Sequence, residues 1–518
     1  MSSRSLLVFP FLLAVAIAQR PYGDPTPGAA GFNPRLHAGS SWIGNMNFGF
    51  DIAAASGGVP AFLQISLAPT NQSVIGFQLL VDLNVSLGSI FTVTNGFQPG
   101  DGTAHIGVPL GIPASPNFIG AAFYAQAIML DSGSAGGVFS ASQGWRFELG
   151  LPPLIFVGTS ILNNDPYQLV EPTSNSVVAT GSPPEVNNVT KAVFMNGGKR
   201  LFTASSIRGA IGMADLTVAP PVWSTIWQGV ATSTYGIAAD HERKWVWTIT
   251  DPGSGARELV AIDVDQGRPT FGLPVAATYG VAFGYFEKFS LAPNCRRAAL
   301  ITFLPQTLTI VDTESGSPTF CQNLISALPI PTDQPGGTML FNDIEITPDS
   351  RYVMMVGQFP GAAPTEVAVY DMLTNTWVDH NPNQVGAQNI GPYSLPAVNM
   401  GSAATTIELS RSGTFAIISG MGGCGWVGRL DLDPNDATYF AWQQWNPGVS
   451  LQNSWTAALS PDDLEVAVST WQKTGCTAMG GPVLRRFDSA QGILLGSIPI
   501  PYNSNSSTLQ NLYTVVYN

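Results

Sequence analysis

Six strand-like segments in the larger, C-terminal part of the chain share one polar position among apolar neighbours. When the segments are aligned on the turn that follows each of them, this position holds Thr190, Thr234, Lys288, Asp343, Thr406 and Thr456. Two residues further on, the same strand face carries Glu345 and Glu408 in adjacent segments. Carboxylates crowded in a poorly solvated site shift their pKa values or recruit a cation, and hard oxygen ligands favour Ca²⁺ over zinc.

Two interpretations of these residues stay open. In the first, Asp343, Glu345 and Glu408 hold a Ca²⁺ ion, and the rest of the ligand site is lined by Lys288, Thr406 and Thr456. In the second, Lys288 pairs with the acids and the other side chains face water. A zinc site is disfavoured, because the four His are far apart and the chain contains no C-x-x-C spacing.

The elements that position these residues repeat along residues 152–518. The clearest unit runs from Ile344 to Asp371 and contains a strand, the turn Pro348-Asp349, a second strand, and a strand that ends in an acid. Proline presets φ in such a turn, and the Asp side chain bonds the local backbone. The closing acids recur about 45 to 60 residues apart, and we expect them to cap the turns that follow: Glu171, Asp215, Asp263, Asp312, Asp371, Asp431 and Asp488.

A repeat of this length with four strands predicts an all-β fold of the β-propeller type. The first unit, from Leu154 to Glu171, lacks an innermost strand, and residues 511–518 form a strand without a unit. We therefore predict that residues 511–518 complete the first unit of a domain that spans residues 151–518. This arrangement gives a seven-bladed β-propeller and leaves few unpaired strand edges.

Two strings resemble the YVTN-type β-propeller family, which is related in shape to lactonase-like and WD40-like propellers: Ile346-Thr-Pro-Asp-Ser-Arg-Tyr-Val353 and Ala368-Val-Tyr-Asp371. The resemblance covers nearly all of residues 152–518 and implies a fold more than an activity. It also implies that the polar position lines a central channel, where some lactonase-type propellers hold a metal. The turns that begin at Asp240 and Arg411 depart from the pattern, since they lack the Pro-Asp pair.

Residues 19–150 have a different composition, rich in Gly, Ala and Ser. The alternating segments 77–85 and 123–131 predict strands of a small antiparallel β-sandwich over residues 19–150, with its boundary at Gly150-Leu-Pro-Pro153. The region around Gly31-Phe-Asn-Pro34 resembles a small β-domain that precedes varied modules in some secreted bacterial proteins. That resemblance implies no chemistry.

A secretory signal peptide is predicted over residues 1–18. Arg4 is followed by the apolar run Leu6–Ala18, and Ala16-Ile17-Ala18 forms an A-x-A cleavage signature. The run is shorter than the roughly 20 residues that a membrane span needs. We therefore expect a secreted, extracellular or periplasmic protein that starts near Gln19.

The chain contains four cysteines, and an even number in a secreted chain suggests disulfides. Cys424 and Cys476 lie in corresponding loops of adjacent units, which makes a bridge between them plausible. Cys295 and Cys321 would then pair by elimination. Four cysteines allow three pairings, so the connectivity stays open.

The net charge is −13 and only 11% of the residues are charged. An acidic chain is disfavoured as a binder of nucleic acid or of an anionic membrane surface, which leaves a protein, peptide or polysaccharide ligand. Three functions stay open: a secreted binding module, a lactonase-like hydrolase with Ca²⁺ in the channel, and a cell-surface structural protein. The first is favoured, because the sequence has no His cluster, no nucleophile–base spacing and no cofactor fingerprint.

Overall fold

The computed structural model of the protein describes residues 20–517 with the following gaps: 40, 47, 108–109, 135–136, 161–166, 173, 182–188, 196–197, 206–208, 230–232, 242, 252–256, 279–287, 304–305, 332–339, 359–364, 380–392, 396–402, 422–424, 434–437, 446–455, 475–477 and 500–510. The predicted signal peptide lies outside the described residues. Within them, no helix has the length and apolar composition that crossing a membrane requires.

The N-terminal part contains eleven strands: β1 Arg20–Tyr22, β2 Arg35–Ala38, β3 Phe50–Ser56, β4 Pro60–Ser66, β5 Pro69–Val74, β6 Phe77–Val81, β7 Ser86–Val93, β8 Pro99–Ile106, β9 Ala122–Leu130, β10 Phe139–Ala141 and β11 Gly144–Glu148. One sheet has the order β1-β11-β9-β4-β7 with β10 against β9, another is β2-β3-β8, and β5-β6 is a hairpin. Short 3-10 turns lie at Ala29–Gly31, Leu83–Val85 and Pro116–Phe118.

The two larger N-terminal sheets share one apolar core. Ile52 of β3, Leu63 of β4 and Phe147 of β11 belong to the same buried cluster. The alternation along β4 explains this packing, because Ala61 and Leu63 face the core while Phe62 points away from it.

Residues 151–517 form a β-propeller. Their strands are β12 Ile155–Ser160, β13 Tyr167–Glu171, β14 Ser176–Gly181, β15 Val189–Met195, β16 Arg200–Ser205, β17 Ala210–Asp215, β18 Val222–Gln228, β19 Ser233–Asp240, β20 Trp245–Asp251, β21 Glu258–Asp263, β22 Pro274–Ala277, β23 Lys288–Leu291, β24 Arg297–Phe303, β25 Gln306–Asp312, β26 Asn323–Pro329, β27 Leu340–Ile346, β28 Tyr352–Gln358, β29 Thr365–Asp371, β30 Thr376–Trp377, β31 Tyr393–Ser394, β32 Ala403–Leu409, β33 Phe415–Met421, β34 Trp426–Asp431, β35 Trp442–Gln444, β36 Ala457–Leu459, β37 Glu465–Thr474, β38 Ala478–Asp488, β39 Leu494–Pro499 and β40 Asn511–Tyr517.

In the described part of the propeller these strands form seven sheets. In chain order they are β14-β13-β12-β40, β15-β16-β17-β18, β19-β20-β21-β22, β23-β24-β25-β26, β27-β28-β29-β30 with β31 beside β29, β32-β33-β34-β35, and β36-β37-β38-β39. We call them the first to seventh sheets. Each innermost strand contacts the innermost strand of the next sheet, in the order β40, β15, β19, β23, β27, β32, β36 and back to β40. The sheets therefore form a closed circle.

The first sheet combines strands from both ends of the propeller segment. β40 is antiparallel to β12, with Phe156 opposite Val516 and Val157 opposite Val515. Val157 and Val515 pack with Ala467 and Leu484 of the seventh sheet. Phe156 faces the other way and packs against Phe194 of the second sheet.

The acids that end the third strand of each sheet cap the turns after them, as predicted. Each of six Asp carboxylates accepts a hydrogen bond from the backbone N–H two residues further on: Asp215, Asp263, Asp312, Asp371, Asp431 and Asp488. The Glu171 carboxylate accepts a bond from the Ser174 hydroxyl, and the residue two positions after Glu171 lies outside the described residues. These acids therefore stabilise turns.

The predicted disulfide between Cys295 and Cys321 is wrong, because no bond joins the two sulfur atoms. Each cysteine ends a tight turn with a positive φ, and the backbone N–H groups of Cys295 and Cys321 bond to Ala292 O and Asp312 O respectively. Cys295 Sγ donates a hydrogen bond of 3.8 Å to Pro293 O, and the Cys321 thiol interacts with the backbone of Ala277 in the third sheet. Burial raises the pKa of the Cys321 thiol to about 11. Cys424 and Cys476 lie outside the described residues.

Because β40 closes the ring, we expect truncation of two valines of the first sheet to lower the stability of the protein by very different amounts. Val515 is 5% exposed on β40, and Val178 is 51% exposed on the outer strand β14. We expect Val515→Ala to lower the free energy of unfolding by about 2 kcal/mol, because it leaves a cavity between the first and seventh sheets. Val178→Ala is the control and should cost under about 0.5 kcal/mol. Denaturant unfolding measures both, and equal losses would contradict the role given to β40.

Candidate functional site

Charged side chains from four innermost strands form one group, which we call the channel cluster: Lys191 of β15, Lys288 of β23, Asp343 and Glu345 of β27, and Glu408 of β32. Lys191 Nζ lies 3.6 Å from Glu345 Oε1. Ser290 Oγ donates a hydrogen bond of 2.9 Å to Glu345 Oε2. Charge interactions within the group shift the pKa values of Lys191, Lys288, Glu345 and Glu408.

The lysine that pairs with a channel carboxylate in the described residues is Lys191, whereas the sequence favoured Lys288. Lys191 follows a register shift between Val189 and Lys191 in the pairing of β15 with β16. Alignment of repeats on their turns does not include such a bulge, and it therefore placed Thr190 at the polar position. The side chain of Thr190 is outside the described residues.

Asp343 and Thr406 bond to the neighbouring sheet. Asp343, which is 6% exposed, accepts a hydrogen bond of 3.1 Å from the backbone N–H of Ile407 in the sixth sheet. Thr406 Oγ1 accepts one of 3.3 Å from Ala457 N in the seventh sheet and lies 2.8 Å from Ser419 Oγ. At this position the polar side chains therefore join neighbouring innermost strands.

The other threonines have similar structural partners. Thr456 Oγ1 lies 3.1 Å from Ser469 Oγ of the adjacent strand β37. Thr234, which is fully buried, donates a bond of 2.6 Å to Ser205 O of the second sheet. The hydroxyl groups of Thr234, Thr406 and Thr456 are thus engaged within the propeller.

Both glutamates of the channel cluster have pKa values above the usual value for a glutamate. Burial raises the pKa of Glu408 to about 8, with a further increase from the Glu345 charge. Burial also raises the pKa of Glu345, and Lys191 opposes that increase. Burial lowers the pKa of Lys191, but Glu345 and the other carboxylates outweigh it, so the Lys191 pKa stands above its usual value.

Lys288 differs from Lys191 in its charge environment. Its side chain is exposed, and the protein around it restricts its hydration. Burial lowers its pKa, Asp343 opposes this change, and Lys191 adds to it.

The channel carboxylates do not fit the Ca²⁺ ion predicted for Asp343, Glu345 and Glu408. Calcium requires six to eight oxygen ligands at about 2.3–2.6 Å. Asp343 already accepts the Ile407 N–H, and the Lys191 ammonium lies beside Glu345. Across the described residues no three His, Cys, Asp or Glu side chains are grouped so that they would hold a metal ion.

A second polar group lies where the N-terminal part contacts turns of the propeller, and the sequence alone did not indicate it. Arg35 Nη2 is 3.6 Å from Asp349 Oδ2, and His37 Nε2 is 4.0 Å from Asp463 Oδ2. Lys199 Nζ donates a bond of 3.5 Å to Ile119 O. In the propeller, Lys199, Asp349 and Asp463 all lie in turns between the first and second strands of a sheet, so the N-terminal part contacts that face.

Burial controls the charges at this contact. It lowers the pKa of His37 to about 3, and the nearby Arg411 guanidinium lowers it further. Burial raises the pKa of Asp463 to about 6, although its two oxygens accept bonds of 3.0 and 3.1 Å from Arg411 N and Ser412 N. Burial lowers the pKa of Arg411, which Asp463 and Glu408 oppose, so Arg411 interacts with both the contact and the channel cluster.

No protein-family model matches the sequence, and neither does any curated protein. Solved structures similar to this chain include the β-propeller domain of Cps50 (Swd1) from Myceliophteria thermophila, at 15% identity over 61% of this chain and 88% of that one, with a TM-score of 0.43. Another is a Bacteroides uniformis protein whose assignment as a 6-phosphogluconolactonase is provisional, at 11% identity over 71% and 100%, with a TM-score of 0.48. A Lactobacillus plantarum protein matches at 15% identity over 70% and 99%, with a TM-score of 0.48.

Because Lys191 pairs with Glu345, we expect a measurable coupling energy between these two side chains. We expect Lys191→Gln to lower the free energy of unfolding by about 1–2 kcal/mol, since it leaves Glu345 without its cation in a partly buried site. Glu345→Gln in the same chain should recover part of this loss. Lys288→Gln is the matched control and should cost less than Lys191→Gln. A double-mutant cycle measured by denaturant unfolding tests the pair, and strictly additive effects would count against it.

The raised pKa of Glu408 predicts that the free energy of unfolding depends on pH. Its pKa rises from a usual 4.5 to about 8 on folding, so between these values the folded protein binds a proton that the unfolded chain does not. The free energy of unfolding therefore falls as the pH rises through this interval. Glu408→Gln removes the effect, and the variant should gain roughly 1–2 kcal/mol over wild type between pH 5 and pH 8.

Thermal unfolding of both proteins from pH 5 to pH 8 measures this gain. The control is Glu314→Gln, at an exposed turn where the carboxylate pairs with Arg296 at the surface. If the difference between Glu408→Gln and wild type is the same at both pH values, the environment assigned to Glu408 is incorrect.

Proposed function

We propose that the chain is a secreted binding protein, and that its seven sheets are the blades of a YVTN-type propeller. Its ligand, a protein, peptide or polysaccharide, binds at the face opposite the N-terminal part. The observation that carries this proposal is the contact of Arg35 and His37 with propeller turns. This contact occupies one face and leaves the other for a ligand.

The lengths of the connections support the choice of face. In an antiparallel sheet, the turns between strands one and two and between strands three and four share one end, and the remaining connections share the other. On the covered face the longest connections span residues 264–273, 313–322 and 432–441. The opposite face has longer ones, which lead into innermost strands: residues 378–402, which contain β31, residues 445–456 and residues 500–510. Long connections on a rigid scaffold are typical of recognition surfaces.

The channel cluster supports binding over catalysis. Lys191 pairs with Glu345, Asp343 accepts a backbone N–H, and the Thr406 hydroxyl is engaged between strands. These groups stabilise the ring in the observed arrangement. A hydrolase would need a nucleophile or an activated water beside a base, and the partners of these residues do not supply that arrangement.

Charge reversal at two glutamates, which lie at opposite ends of adjacent sheets, tests which face binds the ligand. Glu258 begins β21 at the proposed face, and Glu314 follows β25 at the covered face. Ligands are first selected with the secreted full-length protein on glycan and peptide arrays. For a selected ligand, Glu258→Lys should change the dissociation constant at least about tenfold, which is 1.4 kcal/mol, because it reverses a charge at the proposed face. Glu314→Lys should leave it within about twofold.

Titration by calorimetry measures both constants, and the melting temperature of each variant shows that it is folded. An effect of Glu314→Lys larger than that of Glu258→Lys would overturn the assigned face. The absence of any array ligand, in a protein with a normal melting temperature, would overturn the binding function.

A further inference from the structure

Arg485 of β38 is a buried arginine without an acidic partner in the described residues. It is 7% exposed. Its Nε donates a hydrogen bond of 3.2 Å to Thr470 Oγ1, and its Nη1 donates one of 3.4 Å to Ser497 Oγ. Both acceptors are uncharged. Because a guanidinium has five N–H donors, these two bonds leave most of its donors without a partner in the described part of the chain.

Two other arginines are buried to the same extent, and each of them has an acidic partner. Arg257 Nε lies 3.1 Å from Asp251 Oδ2, and Arg486 Nε donates a bond of 3.0 Å to Glu465 Oε2. A buried charge is costly unless an opposite charge accompanies it. Burial lowers the pKa of Arg485. Its guanidinium therefore lacks the anion that the other two have, although the chain contains 34 Asp and Glu against 21 Lys and Arg.

The propeller fold does not require a charge at this position. Arg485 lies three residues before Asp488, the closing acid of the seventh sheet. The corresponding residues of the other six sheets are uncharged: Gln168, Gly212, Val260, Thr309, Ala368 and Gly428. Since those sheets join the same ring without a cation here, the packing of the ring does not explain Arg485.

The guanidinium points toward the face that we propose for the ligand. Arg485 lies opposite Val468 of β37, but its Nε reaches Thr470. Thr470 is two residues closer to the connection between β37 and β38, which lies at the face opposite the N-terminal part. Ser497 of the outer strand β39 is exposed. The guanidinium is thus one hydrogen bond away from a solvent-exposed hydroxyl.

The hairpin of β37 and β38 extends beyond the rest of its sheet at this end. With 10 and 11 residues, these are the longest strands in the described part of the propeller. They pair as far as Thr474 and Ala478, whereas β39 ends at Pro499, opposite Val483. The hairpin therefore projects from the face proposed for the ligand, and the Arg485 guanidinium lies at its base.

The chemistry of the site selects the ligand group. A planar guanidinium binds a carboxylate through two parallel N–H bonds, and the Ser497 hydroxyl has a proton to donate beside it. A net charge of −13 repels a polyanion, so a single carboxylate in a neutral segment fits better than an acidic polysaccharide. We propose that Arg485 and Ser497, with Thr470 holding the guanidinium, form a subsite for one carboxylate of a peptide ligand. This inference rests on the proposed function for the face at which the peptide binds.

Acetate is the probe for this subsite, because it is a single carboxylate. Sodium acetate replaces sodium chloride stepwise at constant ionic strength and about pH 7, and the melting temperature of the full-length secreted protein is measured. An ion that binds the folded protein stabilises it by mass action. We therefore expect the melting temperature to rise by about 2 °C or more and then to level off. Arg485→Met should abolish this rise.

Arg486→Met is the matched control, because Arg486 is the next residue of the same strand and pairs with Glu465. In chloride it should lower the melting temperature by at least about 4 °C, since it leaves a carboxylate without its cation. Arg485→Met should stay within about 1 °C of wild type, since it removes a buried charge that has no acidic partner. Arg485→Gln replaces it if the Met variant fails to fold.

Peptides identify the source of the carboxylate. For a peptide selected on the arrays, one version carries a C-terminal amide and another carries Gln or Asn in place of its acidic residues. One of these versions should bind wild type at least about tenfold more weakly. Arg485→Met should weaken the binding of the original peptide by a similar factor, and combining the two changes should cause no further loss.

Four results would overturn parts of this proposal. An equal effect of acetate on wild type and Arg485→Met would be a general salt effect and would overturn the subsite. A loss of stability in chloride as large as that of Arg486→Met would also overturn it, since Arg485 would then stabilise the ring. A selected peptide that binds Arg485→Met as tightly as wild type would overturn the subsite and leave the proposed function intact. A polysaccharide rich in uronic acid as the selected ligand would overturn the choice of a peptide.

The absence of any array ligand gives a different result from these. Together with an acetate effect that Arg485→Met abolishes, it would support the carboxylate subsite and count against the proposed function.

Discussion

Pairing between β12 and β40 is the constraint on which the propeller depends. Neighbouring side chains of β12 belong to different cores, since Ile155 and Val157 pack toward the seventh sheet and Phe156 packs toward the second. A ring of sheets buries both faces of every sheet only if it closes. β40 supplies both the innermost strand of the first sheet and Val515 for the core beside it. Without this pairing the first and seventh sheets would each expose an apolar face.

A repeated polar contact accompanies the apolar packing between sheets. At four boundaries an arginine donates to the carbonyl of the residue directly after a closing acid in the next sheet: Arg243 to Thr313, Arg297 to Met372, Arg429 to Ser489, and Arg486 to Pro172. The last of these joins the seventh sheet to the first. Hydrogen bonds from a charged donor contribute more than neutral ones, so these contacts fix how adjacent sheets meet.

The residue after each closing acid also explains why the first sheet differs in sequence. The N–H groups of Thr313, Met372 and Ser489 bond to the turn between the first two strands of their own sheets. In the first sheet no turn joins β40 to β12, because these strands come from opposite ends of the propeller segment. The corresponding residue is Pro172, which has no N–H to satisfy.

Local patterns in the sequence were sufficient to predict the fold type and the turn-capping role of the closing acids. Both depend on residues close together along the chain, such as Pro348-Asp349 and the Asp residues that end third strands. The channel cluster was predicted in part. Asp343, Glu345 and Glu408 belong to it, but the role of Lys191 depends on a bulge in β15, and a shift of one residue reverses the direction of a side chain. The thiols of Cys295 and Cys321 were misassigned, because pairing by elimination takes no account of the partners that the fold gives each sulfur, Pro293 O for Cys295 and the Ala277 backbone for Cys321.

Contacts between residues that are far apart in the sequence could not be predicted, and one of them affects the charges of the channel cluster. Arg411 interacts electrostatically with Glu408 of the channel cluster and with Asp463, which lies 4.0 Å from His37 of the N-terminal part. Removal of the N-terminal part would expose Asp463 to water and return its pKa toward the usual range. The same Arg411 guanidinium lowers the pKa of Glu408, opposing the effect of burial. Because charges interact more strongly through low-dielectric protein than through water, Arg411 links the polar group at the contact to the channel cluster, and this link joins parts of the chain that no local sequence pattern relates.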